Sequence, residues 1–99
     1  MSDYYDRRGN PISTEQWLRG FKDPDLKRVA KAEIGDSTVS TVWLGLDHGI
    51  GPGPPLIFET LVFEGPLDGE MLRYSTEEDA LKGHEAMCAR VKAETEASA

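Results

Sequence analysis

Gly35-Asp36-Ser37-Thr38-Val39-Ser40-Thr41-Val42-Trp43-Leu44-Gly45-Leu46 is the stretch on which the fold turns. Its β-branched and aromatic residues favour a strand, and Gly35-Asp36-Ser37 places turn chemistry directly before it. Upstream, two readings compete. Leu26, Val29 and Ala30 share a helical face behind the helix-opening Asp23-Pro24-Asp25, whereas Leu26, Ala30, Ala32 and Ile34 fall on one face of a strand. The turn favours a strand from about Arg28, paired with the following run as an antiparallel hairpin.

Downstream, Asp47-His48-Gly49-Ile50-Gly51-Pro52-Gly53-Pro54-Pro55 is a Gly/Pro-rich loop leading into Leu56-Ile57-Phe58-Glu59-Thr60-Leu61-Val62-Phe63. Apolar residues on both parities of that run predict a central strand covered on both faces. Gly65-Pro66-Leu67-Asp68-Gly69 is turn chemistry again, and Met71-Leu72-Arg73-Tyr74 reads as a short returning strand. A helix then starts from a Ser75 or Thr76 cap with Glu78 or Asp79 at the third position. Ala80, Leu81, His84, Met87, Cys88 and Val91 form its apolar stripe, and Glu78 with Lys82 and Arg90 with Glu94 have ion-pair spacing.

Toward the N-terminus, Ser13 and Gln16 form a capping box, Ile12 and Trp17 a hydrophobic staple, and Gly20 a C-terminal stop for a helix of about two turns. Asp3 to Pro11 reads as an extended segment entering a Gly-Asn-Pro turn. The sum is an α+β chain: an antiparallel sheet of four or five strands, a C-terminal helix packed on one face and a short N-terminal helix at an edge or end. Ninety-nine residues hold one core, so residues 1–99 form a single domain, and Ala93 to Ala99 (AETEASA) offers no large apolar group and is expected to fray.

No run approaches the roughly 20 apolar residues of a membrane helix, and Met1 to Asn10 lacks a signal-peptide core, which predicts a cytosolic chain without a membrane partner. The lone Cys88 accords with a reducing compartment. Net charge is −7 and unevenly spread: acids and bases nearly balance up to Ile34, but Glu59, Glu64, Asp68, Glu70, Glu77, Glu78 and Asp79 face Arg73 alone between Glu59 and Asp79. Direct nucleic-acid binding by that half is disfavoured, because it depends on Lys and Arg displacing counterions. The acids form either a solvated face or a docking surface for a basic partner.

Val39 to His48, Gly53 to Thr60 and Gly65 to Glu70 resemble small proteins carried by actinobacterial phages and prophages, and the resemblance continues through Arg73-Tyr74-Ser75-Thr76 and Gly83-His84-Glu85. It implies a phage origin and a place in the host cytoplasm or the virion. It supplies no catalytic residues.

The candidate sites are each paired with a plainer reading. Gly49-x-Gly51-x-Gly53 loses backbone donors to Pro52, Pro54 and Pro55 and precedes a strand, so a rigid, partner-contacting loop is favoured over a phosphate cradle, with Ile50 as its one large apolar side chain before Leu56. His84 and Cys88, four apart on a helix, could join Asp47 and His48 in a metal site, against a hydrogen-bonded core histidine and a cysteine that packs as a small hydrophobe. Catalysis would have to be assembled from Asp47, His48, Glu59 and His84 without a nucleophile motif. Tyr4, Tyr5, Arg7 and Arg8 form either a contact patch or an edge segment.

These readings predict a non-enzymatic protein without cofactor that binds a protein partner or itself, with Asp47, His48, Ile50, Glu59, Asp68, Glu70, Glu77 and Glu78 as binding residues. The alternatives are a small metal-binding protein or enzyme using His48 and His84, and an acidic decoy of a nucleic-acid-binding surface.

Overall fold

Chain order in the computed structural model, which describes residues 3–49 and 51–97, begins with two short strands, β1 (Tyr4–Tyr5) and β2 (Pro11–Ile12), paired antiparallel. Helix α1 (Thr14–Phe21) follows, and its capping box is complete: Gln16 N–H donates to Ser13 Oγ and Ser13 N–H donates to Gln16 Oε1. The ambiguous stretch resolves into both predicted forms. Asp23 caps a single turn, α2 (Pro24–Lys27), and β3 (Arg28–Ile34) starts at the next residue. Gly35 and Asp36 form the two-residue loop to β4 (Ser37–Trp43), with Gly35 at φ 58°, as a type II′ hairpin requires of its first central residue. β5 (Phe58–Phe63), β6 (Met71–Tyr74) and α3 (Glu77–Ala97) complete the chain.

The main sheet is antiparallel in the order β3-β4-β5-β6, and α3 packs across one face of it. Alternation in β4 decides which side chains meet the helix: Ser37, Val39, Thr41 and Trp43 are buried, while Thr38, Ser40 and Val42 point to the other face. Val39, Val62, Met87 and Val91 form one core cluster, and Trp43, Ile57, Phe58 and Ala80 the other. Helix α1 closes the second cluster at the sheet end, where Trp17 Nε1 donates to the Leu44 carbonyl at 2.8 Å and the Tyr4, Trp17 and Phe21 rings stack in series. No helix among the described residues is long and apolar enough to cross a membrane.

Three expectations change. β5 is central, but only Phe58, Thr60 and Val62 are buried; Phe63 on the opposite face is 46% exposed, so one face of the strand is covered, not two. Gly20 does not end α1, which continues through Phe21. It lies where a Cβ would come within 2.9 Å of Leu26 and 3.1 Å of Trp43, so its need is close approach. Leu81 leaves the buried stripe of α3 at 43% exposure. Helix α3 runs to Ala97, with Thr95 against Gly35.

Candidate functional site

Thr41 lies in the buried parity of β4, and a buried hydroxyl needs partners. Its Oγ1 is 2.6 Å from Thr60 Oγ1 on β5 and 2.8 Å from His84 Nδ1 on α3. Tyr74 on β6 donates its hydroxyl to Thr60 Oγ1 at 3.1 Å, and His84 Nε2 lies 3.6 Å from Cys88 Sγ, one helical turn on. Either hydroxyl can donate in the Thr41–Thr60 bond, and His84 Nδ1 accepts from Thr41 in one ring tautomer and donates to it in the other. This polar line crosses three strands and the helix.

Burial lowers the His84 pKa, partly opposed by Glu85, and burial raises that of the Cys88 thiol, with Glu85 adding to the rise. Both groups are therefore held neutral, the reverse of the thiolate–imidazolium state that activates a cysteine nucleophile. The line fixes the helix against the sheet. This matches the hydrogen-bonded core histidine among the readings of His84.

Asp47 serves the loop. Its Oδ1 accepts from Gly49 N–H and Leu56 N–H, both at 2.8 Å, and these bonds hold its carboxyl below the usual carboxylate range. His48 is exposed and closes the same loop neck through its backbone N–H to the Leu56 carbonyl at 3.0 Å. Ile50 lies outside the described residues. Among the described residues no three His, Cys, Asp or Glu side chains gather in a group able to hold a metal ion, so Asp47 and His48 do not join His84 and Cys88 in the four-ligand set drawn from the sequence.

The acids predicted as a docking surface are largely engaged within the chain. Glu59 pairs with Arg73 at 3.2 Å, Glu70 with Arg90 at 2.7 Å, Glu77 with Arg7 at 2.6 Å and Glu78 with Lys82 at 3.4 Å. Asp68 Oδ1 accepts the Glu64 N–H in the β5–β6 turn. Three of the four cations come from outside the Glu59–Asp79 window, so the sequence overstated the imbalance; Arg90 reaches Glu70 across 20 residues. Arg7 also donates to the Leu26 carbonyl and clasps the N-terminal hairpin to α2 and α3. Tyr4 and Tyr5 are packed, Tyr4 on Trp17 and Tyr5 on the core.

Two open clefts are formed by the described residues. One, of about 420 Å³, lies between the N-terminal hairpin and α1, with Arg8, Asn10 and Leu26 among its walls. The other, of about 390 Å³, lies on the sheet face opposite α3 and is lined by Lys27, Arg28, Lys31, Thr38, Ser40, Val42 and Phe63 with neighbouring Pro24. The strand register continues that face through Leu61 and Met71, the latter 44% exposed. Sequence reading missed this surface because Phe63 was assigned to a covered face; the polar parity of Thr38, Ser40 and the Glu59–Arg73 pair was the available signal. No family model matches the chain, and no curated protein or solved structure was found to match it.

Proposed function

We propose that this chain is a non-enzymatic binding module, an accessory protein of phage origin, that takes a protein partner on the sheet face left uncovered by α3. One observation carries the reading: Phe63 and Met71 are nearly half exposed beside Val42 and Leu61, on a sheet whose other face already holds the core. An apolar strip of this kind, rimmed by polar groups, marks an interaction surface more often than an accident of folding. The neutral His84–Cys88 pair favours a structural over a catalytic use of the buried polar groups. Internal pairing of Glu59, Glu70, Glu77 and Glu78 weighs against the acidic-decoy alternative, which needs carboxylates free to imitate phosphates.

The test is capture from an actinobacterial host extract with the wild-type chain and with Phe63→Glu, after confirming that both melt alike. Proteins retained by the wild type and lost from Phe63→Glu are the expected result. Equal retention by both would remove the sheet face from the function. Sedimentation of the two chains distinguishes self-association, which would appear as a wild-type dimer reduced to a monomer by the same substitution.

A further inference from the structure

Resting on the reading of the sheet face as the binding surface, we infer that its occupant is an acidic polypeptide segment with a large apolar side chain, bound by Arg28 and Lys31 and anchored beside Phe63. The chain has 18 acids and 11 bases, yet the cleft on this face is walled by Lys27, Arg28 and Lys31, and of the two carboxylates the register puts on the same face Glu59 is held by Arg73, which leaves Glu33 opposite Thr38. That segregation is built into the backbone. The register slips between Arg28 and Ala30, so Val29 is the extra residue of a bulge. Strict alternation from Lys31 would turn Arg28 toward α3. The bulge instead packs Val29 on the core and sets Arg28 opposite Val42, on the open face with Lys31.

Arg7, Arg73, Lys82 and Arg90 each hold a carboxylate, but no ion pair joins Arg28 or Lys31 among the described residues. Lys27 stands over the Phe21 ring at 3.8 Å, which fixes its charge at the cleft wall. Lys27, Arg28 and Lys31 outnumber Glu33, which the register puts on the same face opposite Thr38, while Glu59 there is held by Arg73; the net positive potential attracts an anionic partner. A polynucleotide is the competing anion. The surroundings favour polypeptide: Val42, Leu61 and Met71 suit aliphatic side chains, Phe63 is the one aromatic ring among the described residues on the face to stack a base, and a net charge of −7 repels a long phosphate chain.

The test pans a randomised peptide library against the full chain and measures the enriched peptides, with oligothymidine in parallel, on wild type, Phe63→Ala and the double variant Arg28→Glu/Lys31→Glu. The inference expects acidic peptides with an aromatic or leucine anchor, weakened by added salt and by about tenfold or more in the charge-reversed variant at unchanged melting temperature. Neutral or basic peptides lost only on Phe63→Ala would overturn the acidic partner while leaving the sheet-face reading standing. Peptides insensitive to both variants, or none enriched, would overturn both. Oligothymidine bound more tightly than any peptide, and released by charge reversal, would assign the cleft to nucleic acid instead.

Discussion

Thr41 is fully buried between Val39 and Trp43 in β4, and the cost of burying its hydroxyl is offset by bonds to Thr60 and His84. Thr41→Val keeps the shape but strands the His84 Nδ1 and a Thr60 hydroxyl bond; we expect a loss of about 1–3 kcal/mol in urea denaturation. His84 adds a pH dependence of known sign. Its folded-state pKa lies below the ordinary 6.5, chiefly through burial, so the unfolded chain takes up the proton first. Stability is therefore undiminished above the unfolded value and falls as pH drops through it toward the folded value. Unfolding free energies between about pH 7.5 and about pH 5.5 should decline for the wild type more steeply than for His84→Gln, and parallel profiles would contradict the assignment. A histidine on the apolar stripe of a helix was legible in the sequence as a core group. Its partners were not, because pairing of Thr41 with Thr60 depends on a register that only the assembled sheet sets.

At the scale of elements, α3 carries a glycine where helix propensity argues for alanine. Gly83 sits under the Tyr74 ring, which occupies the space a Cβ would need. Gly83→Ala would gain up to about 1 kcal/mol of intrinsic helix propensity, yet we expect a net loss of about 1–3 kcal/mol from overpacking. Displacing Tyr74 also breaks its bond to Thr60, so the loss should be smaller in a Tyr74→Leu background, a coupling that a double-mutant cycle measures. The loop from Asp47 to Leu56 has its own lock. Asp47→Ala should speed amide exchange at Gly49 and Leu56 while leaving exchange in β4 and β5 unchanged, since both freed donors belong to the loop neck. Hairpin and caps were readable at this scale because they depend on neighbours: Gly35-Asp36, Ser13 with Gln16, and Thr76, whose Oγ1 accepts the Asp79 N–H. Gly20 and Gly83 misled or stayed silent because their reason is a side chain brought close by the fold, Leu26 and Trp43 for the first and Tyr74 for the second.

The whole molecule divides into a face that folds it and a face it does not need for folding. Helix α3, Trp43 and the two core clusters consume one side of the sheet. On the other, a bulge in β3 gathers cations beside an apolar strip. Charge placement was only partly legible in the sequence: Glu78 with Lys82 follows from helical spacing, but Glu77 finds Arg7 and Glu70 finds Arg90 only across the fold. A strip spare to folding tolerates replacement, and chemical denaturation of the double variant Phe63→Thr/Met71→Thr measures that tolerance. Threonine suits a strand, and surface substitutions away from packed features usually change stability by no more than about 0.5 kcal/mol each. The expected unfolding free energy of the pair lies within about 1 kcal/mol of the wild type; a loss of about 3 kcal/mol or more would show that these side chains are core and that the sheet has no free face.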